Sequence, residues 1–369
     1  MSRRATAVFS SYFFHNSRWT TTHLVLQNKL PLSAFKQQDS LTPARLLKTY
    51  AQLSKTRLSV LNVLVAMTGV AVSPLSVTLP TLLSTALGTA LCCASANTLN
   101  QIQEVPFDAQ MARTRNRPLV RRAISPLHAT GFALATGFAG PLVLLTMVNP
   151  VTAILGASNI ALYAGPYTWM KRKSIANTWV GSVVGAVPTL IGWTATGAQL
   201  IPSSSYPIHL FLPPFLTQSA PVDLSLINNP LAPFAFFMLL FSWQFPHFNS
   251  ISYIVRGSYA QAGYRMLSVL NPAKNAIVAL RHSFLLVPIC SVLVPLSGLT
   301  TWSFALTSLL PNAICIRAAW SFWRIGGENQ ARALWRHCLW YLPAVLGLMM
   351  FHKQGVDWFA QKENEKDIA

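Results

Sequence analysis

The chain has 369 residues, 52% of them hydrophobic and only 10% charged, with a mean hydropathy of +0.40. Soluble domains carry about 25% charged residues, so a soluble globular enzyme is excluded and an all-α, polytopic membrane protein is implied. The net charge of +19 does not mark a nucleic-acid binder. Its cations gather in short loops between apolar runs, which is how a membrane protein encodes its orientation in the lipid bilayer.

Residues 1–44 read as a mitochondrial transit peptide and N-terminal tail. Arg3, Arg4, Arg18 and Lys29 lie among many Ser and Thr, no acid precedes Asp39, and the long apolar core of a secretory signal is missing. Nine apolar runs follow, at 58–77, 81–101, 127–147, 151–167, 177–201, 231–250, 283–299, 300–320 and 334–351. Segment 1–57 holds nine Lys plus Arg, and loops 102–126, 168–176 and 251–282 hold five, three and four, whereas 78–80, 148–150 and 202–230 hold none. Strict alternation of this kind satisfies the positive-inside rule for nine spans. The cationic ends then share one side, and under the transit reading that side is the matrix face of the mitochondrial inner membrane. The body is 45–351. It carries an inserted loop at 202–230, with six prolines and no cation, and precedes a polar tail at 352–369. The five cysteines form no C-x-x-C and lie in apolar segments, so they read as packing residues.

The chemistry concentrates where the second run ends, in "NQIQEVPFDAQMARTRNRPL" (100–119). Glu104 and Asp108 are the only acids between Asp39 and Asp223. Asn100, Glu104 and Asp108 are spaced i, i+4, i+8, along one helix face, although Pro106 is expected to break or bend that helix. Two carboxylates and an amide oxygen suit a hard cation such as Mg²⁺, which completes its shell with water and phosphate oxygens. The arginines that follow match phosphate. The plainer alternative is a surface pair balancing nearby arginines. Topology alone accounts for Arg121 and Arg122.

The pattern N-x-x-x-E-x-x-x-D followed by "MARTRNRPL" resembles the first acidic motif of the UbiA superfamily of intramembrane prenyltransferases. "YTWMK" (Tyr167 to Lys171) resembles that family's Y-x-x-x-K, whose lysine contacts diphosphate. The resemblance implies a nine-helix bundle in which Asn100, Glu104 and Asp108 hold Mg²⁺ against an isoprenoid diphosphate. Arg113, Arg117, Lys171, Arg172 and Arg256 would contact the diphosphate. "SWQFPHFNSISY", "AGYRMLSV" and "SIANTWVGSVVGAVPTLIGWTA" are similar to the branch that moves farnesyl from farnesyl diphosphate to a vinyl group of heme b. That product, heme O, feeds heme A and cytochrome oxidase, which makes heme A synthase or oxidase assembly factors the expected protein partners.

His247, in "FPHF", is then expected among the catalytic and substrate-binding residues, with Tyr259 beside the substrate. By chemistry alone His247 serves equally as a boundary histidine bonded to backbone, and His128 and His282 read as boundary residues. One departure stands out. The carboxylate that the family places just before the tyrosine of the loop after the sixth span is replaced by Ser258, preceded by Gly257, and loop 251–282 has no acid at all. The alternatives are a prenyltransferase acting on a quinone precursor, and a catalytically weak relative acting in oxidase assembly. A transporter is disfavoured because no acid lies inside an apolar core.

The alternating cation counts generate a labelling test. In mitoplasts, Phe215→Cys should react with an impermeant maleimide and Arg115→Cys only after permeabilisation; reaction of both from the same side would overturn the topology.

Overall fold

The computed structural model describes residues 42–216 and 228–356. The transit-peptide reading of 1–41, part of the insertion (217–227) and the tail beyond 356 lie outside the described residues. The first half consists of α1 (Pro43–Leu53), α2 (Thr56–Val72), α3 (Leu79–Asp108), α4 (Pro126–Met147) and α5 (Pro150–Leu162), which runs on through a π segment (Tyr163–Tyr167) to Met170. The second half consists of α6 (Asn177–Ala195), α7 (Leu231–Ile254), α8 (Arg256–Gln261), α9 (Leu267–Leu270) and α10 (Pro272–Pro288), which continues to Leu296. It closes with α11 (Ser303–Thr307), α12 (Leu309–Arg324) and α13 (Gly327–Phe351). No β-strand occurs among the described residues, only an isolated bridge between Thr300 and Lys353.

The helix starts follow from local chemistry. Thr42, Thr78, Ser125, Asn149 and Asn271 each accept the backbone N–H three residues on, and each is followed by Pro at one of the first two helical positions. The hydroxyl or amide satisfies an orphan amide, and Pro supplies a pre-set φ where no N–H is needed.

Four described helical runs are long and apolar enough to cross a membrane alone: α3, α4, α7 and Pro272–Leu296. The α1–α2 pair, bent by 58°, makes a fifth if counted as one span. By length and composition, four or five of the nine expected spans are met by such a helix among the described residues. The run at 300–320 divides at Ser308 into α11 and α12. Loop 251–282 is shorter than expected, because α8, α9 and the start of α10 fall within it. Lys274 and Arg281 looked like loop cations, yet they are exposed residues of α10, whose start at Pro272 is capped by Asn271. Among the described part of the insertion, the chain is tied down by backbone bonds such as Phe211 N–H to Leu296 O (2.9 Å).

The largest core forms around α7, which packs on α6, α10 and α13, with Trp193, Phe236, Phe304, Phe322 and Tyr341 fully buried. In the other half α3 lies along α4 and α2 crosses α6. That crossing is close because it uses glycines. A Cβ on Gly192 would stand 1.8 Å from Ala66 O, and one on Gly69 would stand 2.4 Å from Thr189 O. Small residues let membrane helices approach to backbone contact. Beyond the crossing, Lys353 donates to Ala71 O and Ser73 O, both at 2.7 Å, and satisfies the last carbonyls of α2.

Gly192→Val should therefore lower the thermal midpoint of the purified protein, because overpacking costs about 1–3 kcal/mol or more. Gly347→Ala, with nothing within 4 Å of the added Cβ, should leave the midpoint unchanged.

Candidate active site

The C-terminal end of α3 organises this site. The helix passes through Pro106 without interruption and ends at Asp108, so the expected break there does not occur. Pro106 falls in the last turn, where it forfeits the one bond its N–H would have made to Ile102 O, and only two helical residues follow it. Asn97, Asn100, Gln101, Glu104 and Asp108 are all buried. The first and third hold the joint between α1 and α2. Gln101 Nε2 donates to Gln52 O (3.0 Å) and Leu53 O (2.7 Å), and Asn97 Nδ2 donates to Ser54 O (3.1 Å). These bonds take up carbonyls that the end of α1 leaves without helical partners.

At that joint Lys55 adopts φ +49°, in the left-handed region. Such a conformation is uncommon for a residue other than glycine. It sends Nζ to Asn100 Oδ1 at 2.8 Å and to the Tyr163 hydroxyl at 3.4 Å. Sequence reasoning counted Lys55 only among the N-terminal cations. Its sole signal was the polar "SK" between two apolar helical patterns.

Both carboxylates are paired with cations. Lys171 Nζ lies 2.7 Å from Glu104 Oε1. Arg117 bonds Asp108 Oδ2 directly and stands 3.8 Å from Glu104 Oε2. Thr114 Oγ1 donates to Asp108 O (3.0 Å), folding the arginine-rich loop back over the helix end. Burial alone would lower the Lys171 ammonium, but the Glu104 carboxylate beside it raises its pKa well above the ordinary 10.5. Tyr264 is buried and its hydroxyl has no partner among the described residues. Burial, then the Glu104 charge, raises its pKa, so the phenol stays an O–H donor.

These groups line a cavity of about 310 Å³. Its charged lining is Lys55, Arg113, Arg117 and Lys171 against Glu104 and Asp108, four cations to two anions. Val255, Tyr259, Tyr264 and Met266 form part of the facing wall. A second cavity of about 290 Å³, mainly apolar and lined by Cys92, Ala96, Ile160, Val184 and Ile191 among others, shares Leu58, Tyr167 and Phe248 with the first. The pair forms a charged chamber joined to an apolar one.

Of the residues expected from sequence, Asn100, Glu104, Asp108, Arg113, Arg117, Lys171 and Tyr259 meet in the charged cavity. Three expected contacts lie elsewhere. Arg256 bonds Tyr253 O (2.7 Å) and faces Glu328 (3.6 Å), beside Gly257 and Ser258 in a crevice that shares Val255 with the charged cavity. Arg172 sits over the Phe107 ring at 5.0 Å. His247 lines neither chamber. It stacks on Trp243 at 4.9 Å, and its Nδ1 has no partner among the described residues. Glu328, Phe107 and Trp243 are the partners beside them.

The donor set fits an oxygen-seeking cation in part. Asp108 Oδ1 is buried without a partner among the described residues, an oxygen that a divalent ion would satisfy. Asn100 Oδ1, expected as a third ligand, already accepts from Lys55, and Asn100 Nδ2 donates to Thr168 Oγ1 at 3.0 Å. No cluster of three or more His, Cys, Asp or Glu occurs among the described residues. Two carboxylates are thus what the chain offers, leaving other positions to water and ligand oxygens.

Residues 62–342 match the UbiA prenyltransferase family. The "Protoheme IX farnesyltransferase, mitochondrial" of Yarrowia lipolytica is 42% identical over 333 residues, covering 86% of this chain and 64% of that protein. The chain thus spans less than two thirds of that curated relative's length. A structure of digeranylgeranylglyceryl phosphate synthase superposes with a TM-score of 0.59 at 17% identity, covering 83% of this chain and 98% of that one. A UbiA homolog from Archaeoglobus fulgidus bound to DMAPP and Mg²⁺ gives 0.53 at 13% identity, with 82% and 99% covered. At those identities the two structures establish the fold.

The Glu104–Lys171 pair makes a measurable pH signature. Because the Lys171 pKa stands above 10.5, the stability this pair contributes is complete below that value and is lost as pH rises through the folded-state value. In Glu104→Gln the raising charge is gone and burial dominates, so the ammonium should deprotonate at lower pH. Amine modification followed by mass spectrometry should find Lys171 protected through pH 10 in the parent chain and reactive at lower pH in the variant. The variant should also lose about 3–5 kcal/mol of stability, as expected when a buried pair keeps only one partner.

Proposed function

Because the chain belongs to the UbiA prenyltransferase family, we propose that it transfers a farnesyl group from farnesyl diphosphate to a vinyl group of heme b. The observation that carries this reading is the junction of two chambers, one with surplus positive charge and one apolar, at Leu58, Tyr167 and Phe248. A prenyl diphosphate has the same division between a polyanion and a hydrocarbon tail. The name of the Yarrowia relative supplies the acceptor and the donor length.

In this reading Arg113, Arg117, Lys55 and Lys171 receive the diphosphate oxygens, and the Tyr264 hydroxyl donates to one of them. Glu104 and Asp108 would hold Mg²⁺, which when bound neutralises charge on the leaving diphosphate. The allylic C–O bond breaks, its electron pair leaves with the diphosphate, and the fixed cations stabilise the charge that develops there. The farnesyl cation stays in the apolar chamber, away from bulk water. The vinyl π electrons of heme b form the new C–C bond. Water then adds to the resulting cation and loses a proton, leaving the hydroxyl.

The "mitochondrial" in that relative's name and the basic N-terminal stretch support a place in the mitochondrial inner membrane, with the charged chamber at the matrix side. Gly257 and Ser258, where the resemblance expected a second acidic motif, line the crevice with Arg256 and Glu328. The reading therefore rests on the first acidic pair alone.

Incubating the purified protein with heme b, farnesyl diphosphate and Mg²⁺ should yield farnesylated heme, and omitting Mg²⁺ should reduce it. Asp108→Asn should abolish transfer while the protein still accumulates in the membrane, since no other carboxylate of the cavity can replace the orphaned Oδ1. Near-normal transfer by that variant would overturn the metal role. Product formed only with a quinone precursor would overturn the choice of acceptor.

A further inference from the structure

At the end of the bundle opposite the charged cavity, the segment between α6 and α7 carries an apolar row that the proposed reaction does not use. Residues 202–216 contain no Asp, Glu, Lys or Arg. The segment opens with a polar turn, in which Ser203 and Tyr206 exchange backbone bonds at 3.1 and 3.2 Å. Beyond it, exposure alternates along the chain. His209 and Phe211 are half-buried and Pro213 is buried, while Ile208, Leu210 and Leu212 are 49%, 58% and 47% exposed. An extended chain sends successive side chains to opposite sides, so one side of this stretch faces the protein and the other presents Ile, Leu and Leu. Phe215 (84%) and Leu216 (64%) extend the row.

The inner side is anchored at defined points. Phe211 N–H donates to Leu296 O at 2.9 Å, and Trp302 Nε1 donates to Phe211 O at 3.0 Å. The Phe211 ring lies so close to Gly298 that a Cβ there would stand 2.6 Å away. Asn229 closes the return, donating to His209 O (2.6 Å) and Ser297 O (3.1 Å). The stretch is therefore not a loose loop. Its register fixes which side chains point away.

The anchors also fix its depth. Leu296 is the last residue of Pro272–Leu296, a run long and apolar enough to cross a membrane, so residues 208–212 lie level with the edge of the hydrocarbon layer. Tyr206 and Trp302 sit beside them, the residue types that favour the membrane–water boundary. A charge-free apolar row at that depth suits the lipid boundary. Contiguous exposed apolar patches mark interaction surfaces, and here the surrounding solvent at that level is lipid.

We propose that residues 208–216 form an interfacial anchor, with Ile208, Leu210 and Leu212 inserted into the lipid leaflet on the side away from the charged cavity. The partner is the acyl region of a bilayer surface, recognised by apolar insertion without headgroup charge.

The test places single cysteines at Ile208, Leu210, Leu212 and, as a control in the polar turn, Ser204. Each full-length variant is labelled with an environment-sensitive fluorophore and reconstituted in phosphatidylcholine nanodiscs. The unsubstituted chain serves as the labelling blank for its five cysteines. Labels at 208, 210 and 212 should emit further to the blue than that at 204. They should be quenched several-fold more by nitroxide-bearing lipid than by aqueous iodide, with the order reversed at 204. Iodide quenching at all four positions would overturn the anchor. Protection of 208, 210 and 212 from both quenchers would also overturn it, because it would mean that protein covers the row. A Leu210→Asn, Leu212→Asn double variant should remain folded and lose the lipid quenching at a label on 208.

Discussion

Two carboxylates buried at the end of an apolar bundle need cations beside them to stay charged, and most of the local structure answers that need. Glu104 receives Lys171 from beyond α5, and Asp108 receives Arg117 from the loop after α3. These contacts draw two separate chain segments to one helix end. Thr114 then closes the loop on Asp108 O, and Arg265 N–H bonds Lys171 O at 2.8 Å, bringing a third segment with Tyr264 into the wall. The same demand explains why the charge is overcompensated. Arg113 and Lys55 raise the cationic lining to four against two, which leaves room for an anion without a further protein partner.

The acidic helix face was legible in the sequence because its spacing is a local property. Residues i, i+4 and i+8 share a face whatever surrounds them, and α3 places Asn100, Glu104 and Asp108 together. Lys171 and Arg117 were legible through the motifs around them. Lys55 was not, because its role depends on a left-handed joint that only the packing of Gln101 and Asn97 against α1 makes stable. Tyr264 lies in "AGYRMLSV", where nothing in the spacing marks it. Its functional feature is an orphaned hydroxyl, which no spacing rule detects. Arg256 and His247 do not line the charged cavity: Arg256 pairs with Glu328, and His247 stacks on Trp243.

The span map shows the same division. Composition identified an all-helical membrane protein, and the Thr-Pro, Ser-Pro and Asn-Pro pairs mark several true helix starts. Helix interruptions were harder to read. The left-handed joint at Lys55 falls just before a continuous apolar run, and the π segment at Tyr163–Tyr167 and the break at Ser308 fall inside such runs. The first two of these line the cavities, so the irregular backbone falls where ligand would bind. Non-helical backbone is tolerated at membrane depth where protein or a cavity surrounds it.

The sequence positions of the charged groups bear on how the chain assembles as it is made. Apart from Arg113, exposed at the cavity mouth, the groups that emerge first are Lys55, Glu104, Asp108 and Arg117, two of each sign. Among these four cavity groups the charges are matched in number before α5 exists, but Glu104 still lacks its closest cation. Asp108 can meet Arg117 within the segment made first. Lys171 arrives later and gives Glu104 its partner at 2.7 Å. The positive surplus of the cavity is thus completed by a late-arriving residue.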